Sequence, residues 1–283
     1  MTIYIKYFCH LPALLDELQV AVPYEKFVRA ESVSQRFRYG LTWLKQKRYL
    51  DRILRNFYAC TVVSEQERTL LSQAINGNGP QIEVLPNCVD LASYGNFRQE
   101  ARPDRLIFTG SFSFYPNYEA MVWFVQNVYP QIKAKIPGVQ LSITGNHANR
   151  PLPSMDQITL TGFVDDVRPL IAQSWASLVP IHTGGGTRLK ILEAMALGTP
   201  VIATTKGAEG LDVQPGRDIL IADTPETFGQ ATIRLLTDPD LRESLATNAY
   251  EVVRTKYDWA VVMPQFLSLV EKAARNEGNN AVP

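Results

Sequence analysis

From residue 106 to residue 203 the sequence repeats one unit: a short apolar run, a glycine, then a helix-forming stretch. Leu106-Ile107-Phe108-Thr109 stops at Gly110, the run 139–143 at Gly145 and the run 158–161 at Gly162. The run 176–181 leads into three consecutive glycines, Gly184, Gly185 and Gly186. Strands that are apolar throughout, rather than alternating, belong to sheets covered on both faces. Their alternation with helices predicts an α/β fold with a parallel sheet. Asn117 opens a predicted helix to about residue 136, Asp166 one to about 174, and a third covers about 187–197 before Gly198 and Pro200 end it. Further strands are predicted at 201–203 and 218–221, and helices over about 225–236, 239–256 and 259–275. In such sheets ligands bind beyond the carboxyl ends of the strands, which is where the glycines fall.

The first third reads differently. Residues 2–8 alternate weakly and suit a strand, and 24–57 suits one or two basic amphipathic helices. Ala59-Cys60-Thr61-Val62-Val63 is a β-branched run ending at Ser64, a natural N-cap that forms a capping box with Glu67. Residues 76–80 form a loop, and Ile82-Glu83-Val84-Leu85 a strand. The polar, aperiodic stretch 94–105 reads as a linker. Three domains of organisation follow: a partial N-terminal part over 1–93, a main domain over 94–258, and a C-terminal helix over 259–283 returning toward the N-terminal part.

Charge and cysteine content narrow the function. The chain of 283 residues carries 28 basic and 28 acidic side chains, so nothing in its net charge points to nucleic acid. Yet the stretch 22–57 holds nine basic residues against three acidic ones. That excess suits either docking on an anionic membrane surface or an ordinary solvated helix face. Cys9, Cys60 and Cys88 lie far apart without a CxxC, which argues against a disulfide framework or a thiolate zinc site. Asp16 and Glu17 cut the apolar patch at 7–15 well short of the ~18 residues of a membrane helix, and no secretory signal is read, so the expected location is cytoplasmic, at most peripheral to the inner membrane face.

The richest stretch is Gly184-Gly185-Gly186-Thr187-Arg188-Leu189-Lys190, running into a helix that carries Glu193. Glycines allow close backbone approach to a ligand, and a helix N-terminus favours an anion. Arg188 and Lys190 in that first turn oppose the helix dipole by about 0.3–1 kcal/mol each, a penalty that a bridging anion would reverse. Leu189, Leu192 and Met195 are expected to point to the core. Leu189 also stands where a GxGxxG fingerprint needs its third glycine, and no Gly-Lys-Ser/Thr follows, so this is neither a dinucleotide motif nor a P-loop. His182 reads as a loop histidine, His10 and His147 as structural or exposed, and Asp165-Asp166 as helix-capping residues rather than a metal pair.

The stretch 184–200 resembles the nucleotide-sugar site of the retaining glycosyltransferases of family 4, whose GT-B fold has two Rossmann-like domains. Further landmarks are Thr61-Val62-Val63-Ser64-Glu65, Pro86-Asn87-Cys88-Val89-Asp90, Phe108-Thr109-Gly110-Ser111, Gly162-Phe163-Val164, Leu192-Glu193-Ala194-Met195 and Gly207-Ala208-Glu209-Gly210. The resemblance implies that Arg188 and Lys190 neutralise the donor diphosphate and are the catalytic pair. It implies that Glu193, the second glutamate of the family's E-x7-E motif, holds the donor ribose, and that Phe163 and Val164 read the base. Gly110, Ser111, Gly184, Gly185, Gly186, Thr187 and Leu189 complete the implied donor site. The first glutamate of that motif falls at Gly185, and Cys88 stands where glycine is usual.

The implied reaction moves a sugar from a nucleoside-diphosphate sugar to an acceptor hydroxyl, on a glycan, polysaccharide or lipid-linked acceptor, with retention. No cofactor and no metal are implied. Only the last part of an acceptor-side domain is read before the donor domain. The competing expectation is therefore a truncated or degenerate nucleotide-sugar-binding domain without transferase activity.

Overall fold

The computed structural model describes residues 11–16, 18–75, 79–97, 101–153 and 155–275. The strand expected at 2–8, Cys9, His10 and parts of the loops at 76–80 and 94–105 lie outside the described residues. The chain divides into two compact units. The first holds the described residues up to Asn87, with Gly185–Thr187 and the chain from Val262; the second holds Cys88–Gly184 and Arg188–Val261.

In the first unit, β1 (Leu14–Leu15), β2 (Ala59–Val62) and β3 (Gln81–Val84) form a parallel sheet in that order. The basic stretch forms two helices, α1 (Ala21–Val28) and α2 (Val33–Leu54). Trp43, Leu50 and Leu54 of α2 pack with Val20, Cys60, Val62 and Leu71 into one apolar core. Ser64 caps α3 (Glu65–Ala74), its hydroxyl accepting the Glu67 N–H at 3.2 Å. Glu67 also has a long-range role. Its carboxylate, 4% exposed, accepts the N–H groups of Val20 at 2.8 Å and of Ala21 at 3.2 Å, at the start of α1. One acidic side chain thus satisfies free donors at the N-terminus of a second helix, where the dipole also favours it.

The second unit is a six-stranded parallel sheet in the order β6-β5-β4-β7-β8-β9. Its strands are β4 (Arg105–Thr109), β5 (Gln140–Thr144), β6 (Ile158–Gly162), β7 (Ala176–Val179), β8 (Val201–Ala203) and β9 (Leu220–Ile221). Successive residues face opposite cores, as the strand period of two requires. Leu106, Phe108, Leu141, Ile143 and Leu178 enter one cluster. Ile107, Val179, Val201 and Ala203 enter the other. Each such burial contributes about 1.5–3 kcal/mol, which is why the runs are apolar throughout.

The helices around this sheet differ from expectation mainly at their ends. The helix expected at 117–136 is α4 (Tyr115–Trp123) and α5 (Tyr129–Lys135), joined by a π-helical turn at Phe124–Val128. The helix expected from Asp166 is the single turn α6 (Arg168–Ala172). Asp166 stands outside it and accepts the Arg168 N–H at 3.0 Å while pairing with its guanidinium. Then come α7 (Leu189–Ala196), α8 (Pro225–Thr237) and α9 (Pro239–Val252), while α10 (Trp259–Arg275) falls from Val262 onward in the first unit. The segment Leu91–Phe97, partly read as linker, is a 3-10 helix whose Leu91, Tyr94 and Phe97 pack on the second unit's core. No helix among the described residues is long and apolar enough to cross a membrane.

Replacing Glu67 by alanine leaves two buried N–H groups without this carboxylate. At about 1–3 kcal/mol for such a loss, the urea midpoint of unfolding is expected to fall clearly, and less so for Glu67→Gln, which keeps an acceptor oxygen.

Candidate functional site

The strand order reverses between β4 and β7: the chain builds outward through β5 and β6 on one side and β8 and β9 on the other. This switch point is where an open parallel sheet leaves a crevice at its carboxyl edge. Gly110 follows β4 with φ +149°, and Gly145 follows β5 with φ +109°. A Cβ on Gly145 would stand 2.7 Å from the Gly110 carbonyl carbon, and one on Gly110 2.8 Å from Lys190 Nζ. Both positions require glycine, because the two turns and a lysine head occupy the space a side chain would take.

Residues after β7 complete the mouth. Arg188 is not in the first turn of α7. It is the N-cap, in extended conformation, and is buried. Its guanidinium donates back to the carbonyls of Thr183 at 3.3 Å and Gly184 at 3.0 Å, and lies 6.0 Å from the Phe114 ring centre. Thr183 in turn donates its hydroxyl to Glu119 at 2.6 Å. Lys190 reaches into the mouth from the first turn of α7. Its ammonium donates to Asn117 Oδ1 at 3.1 Å and sits 4.1 Å over the Phe108 ring. Burial, with Arg188 nearby, pushes this lysine down to about 7, and Glu193 opposes that shift only in part.

Glu193 stands one turn further along α7. Burial pushes its carboxyl up, against the pull of Lys190, a hydrogen bond from Tyr94 and the charge of Arg168. The Tyr94 hydroxyl is itself driven to about 12 by burial and by Glu193.

The structure therefore brings Gly110, Gly184, Arg188 and Lys190 together at the switch point, with Glu193 behind them. Ser111 adjoins Gly110, its hydroxyl donating to the Asn146 carbonyl at 3.1 Å. Phe163 and Val164 follow β6. Phe163 is exposed and, with Gly162, His147 and Arg150, lines a depression of about 690 Å³. Gly185, Gly186 and Thr187 group with the first unit. A Cβ on Gly185 would meet Val22 at 2.5 Å, and Thr187 accepts from Asn87 at 2.7 Å. Leu189 corrects an expectation: as the first residue of α7 it is 46% exposed rather than turned to the core. Leu192 and Met195 are fully buried as expected. His182 lies edge-on against Trp123 at 4.6 Å, a packing contact.

Asn117, Glu119, Thr183 and Tyr94 were not singled out from the sequence as site residues. Asn117 read only as a helix opener, and nothing local distinguishes it from one. Its partner is 73 residues away.

With this geometry in view, comparison with known proteins identifies the fold. The fold, α/β with parallel sheets in two units, is that of the GT-B glycosyltransferases. The structure of HepE from Anabaena in complex with UDP and glucose superposes with a TM-score of 0.70 at 14% identity, covering 96% of this chain and 76% of that one. Residues 103–238 match the family model described as "Glycosyl transferases group 1". Among curated proteins, the phosphatidyl-myo-inositol mannosyltransferase of Mycobacterium leprae is 28% identical over 225 residues, 75% of this chain and 58% of that protein. The D-inositol 3-phosphate glycosyltransferase of Corynebacterium glutamicum is 36% identical over 91 residues, 31% of this chain and 22% of that protein. These matches support a place for this segment in the glycosyl transferases group 1 family. The chain spans about half the length of the first curated relatives it matches, 42%, 45% and 58%.

Lys190 predicts a specific pH dependence of stability. Its folded value, about 7, lies below its ordinary value of 10.5. Between the two the unfolded chain binds a proton that the folded chain does not, so stability rises with pH across that window. The stability of the wild type minus that of Lys190→Met should therefore grow from about pH 7 to pH 10.5 and be flat below it, as read by urea unfolding at a series of pH values.

Proposed function

We propose that the second unit binds the diphosphate of a nucleoside-diphosphate sugar at the β4–β7 switch point, and that the protein transfers the sugar to an acceptor hydroxyl. The observation that carries this reading is the convergence of Arg188 and Lys190 with the Gly110 turn at that point. Leaving-group departure from a nucleoside-diphosphate sugar develops charge on the diphosphate. Preorganised cations and amides aimed at that charge lower the barrier. Arg188 is permanently charged, and Lys190 gains its proton as the anion arrives. Glu193, a carboxyl raised by burial and hydrogen-bonded to Tyr94, is suited to accept from sugar hydroxyls, and we assign it the donor ribose. Phe163 and Val164, at the depression beyond β6, are assigned the base.

The reading is supported by the relatives' names, which are those of sugar transferases, and by the HepE structures, one of which holds UDP-glucose. We extend it to retention of anomeric configuration, with a glycan, polysaccharide or lipid-linked acceptor. Charge neutralisation is assigned to side chains and amides, with no resident metal or cofactor. Arg188→Ala/Lys190→Ala is expected to abolish calorimetric binding of UDP-glucose and GDP-mannose and any donor turnover, and wild-type turnover is expected to survive chelation of divalent ions. Unchanged binding in the double variant overturns the assignment.

A second reading, a nucleotide-sugar-binding domain without transfer, is favoured by one observation, the chain's coverage of only about half of its first curated relatives. Donor binding by the wild type without turnover on any acceptor would select it.

The first unit carries the membrane reading. Val33, Phe37, Leu41 and Leu44 of α2 are exposed and recur at helical spacing, which places them on one face. By the same spacing, Arg36 and Lys47 flank that face on one side and Arg38, Lys45 and Arg52 on the other. Apolar insertion with cations at the headgroups is the pattern of an interfacial helix. Co-sedimentation with liposomes is expected to rise with anionic lipid content and to fall in a Phe37→Ser/Leu41→Ser variant. Binding indifferent to lipid charge rules it out.

A further inference from the structure

Asn117 is 7% exposed in the first turn of α4, and both halves of its amide are engaged. Nδ2 donates to the Ser111 carbonyl at 2.9 Å, and Oδ1 accepts from Lys190 Nζ at 3.1 Å. The partners fix the orientation, since a carbonyl can only accept and an ammonium can only donate. The side chain therefore ties the turn after β4 to the cation on α7. Two residues on, Glu119 holds the hydroxyl of Thr183. One turn of α4 thus fastens Thr183, on the β7 side of the glycine run, and Lys190, on the α7 side.

The chemistry of the amide is informative. A buried ammonium needs an acceptor to stay charged. A carboxylate at this position would hold Lys190 and also cancel its charge. The neutral carbonyl of Asn117 holds it and leaves the charge, with the remaining N–H donors, for an incoming anion. The charged groups acting on Lys190 are Arg188, which opposes its protonation, and Glu193, which favours it. The elements packed on its head from the sheet side and from α4 present Phe108 and Asn117, neither of which titrates.

We propose that Asn117 is a positioning residue for the donor diphosphate, aiming the Lys190 ammonium at the carboxyl ends of β4 and β7 without cancelling its charge. The inference rests on the reading of this site as the donor site.

The test is calorimetric titration of the full chain with UDP-glucose and GDP-mannose across about pH 6 to 8.5, a window in which their diphosphate diesters keep constant charge. Wild-type affinity is expected to fall as the pH rises through about 7, where Lys190 loses its proton. Asn117→Ala should weaken binding roughly tenfold or more, the usual scale for a hydrogen bond to a charged group, and move the fall to lower pH. Asn117→Asp, nearly isosteric and the variant to rely on if alanine does not fold, should also weaken binding but move the fall to higher pH, because a carboxylate keeps Lys190 protonated. A merely structural asparagine would move neither midpoint. In a Lys190→Met background, Asn117→Ala should have no further effect. Wild-type affinity and midpoint in both Asn117 variants, or a full Asn117→Ala effect persisting in Lys190→Met, overturns the inference and leaves the donor reading standing. A wild-type chain that binds neither probe overturns the donor reading and this inference with it.

Discussion

A lysine head buried at the carboxyl edge of a parallel sheet is the costly element of this structure, and its neighbours are arranged around it. The ammonium is desolvated and close to an arginine, both of which favour its neutral form. Against that stand one amide carbonyl, the face of Phe108, and Glu193 one helical turn away. These partners come from β4, α4 and α7, so the lysine's environment exists only once the sheet and its crossovers have assembled. The glycines at 110 and 145 serve the same end. With side chains there, the β4 and β5 turns could not approach each other and the lysine could not reach the mouth.

The first unit shows a similar economy in a different setting. α3 begins at a capped serine, and the glutamate in its first turn reaches to the backbone at the start of α1, nearly fifty residues back in the chain. A buried carboxylate is tolerated because it lies at two helix N-termini at once, where donors are free and the dipoles favour negative charge. The same rule makes Arg188 at the start of α7 anomalous, and there the nearby carbonyls of Thr183 and Gly184 supply the compensation.

The strand rhythm between 106 and 203 was legible because apolar runs and glycine turns are local signals that the burial on both sheet faces requires. The strands at 59–63, 82–85 and 201–203 were likewise placed to within a residue or two. Helix ends were legible only where a cap is a sequence-local event, as at Ser64. They were misread where no side-chain cap forms. Asp166 bonds outside its helix, and the arginine that opens α7 caps it in an extended conformation without a side-chain bond of the usual kind. The π-helical turns at Phe124–Val128 and Val253–Tyr257 leave no sequence mark, and β1, two residues long, is defined by its pairing with β2 alone. In the site, the residue types that bear charge were found, while Asn117, Glu119 and Tyr94 were not, because their partners are distant in sequence and their side chains have common structural uses.

The placement of Arg188 bears on how the two cations divide their work. A guanidinium in the first turn of α7 would meet the positive end of the helix dipole. Standing one step outside in extended conformation, it folds back onto the carbonyls of Thr183 and Gly184, and Gly184 adopts φ +87°, which a side chain would resist. The glycine therefore turns a carbonyl that fixes the arginine. Arg188 keeps its charge at any physiological pH. Lys190, held beside it near its titration point, does not, and the arginine is one reason why. A pair of this kind avoids the cost of two permanent buried cations. On the donor-site reading we propose, the second charge would be completed when the anion supplies the potential to hold it, coupling binding to proton uptake at the switch point.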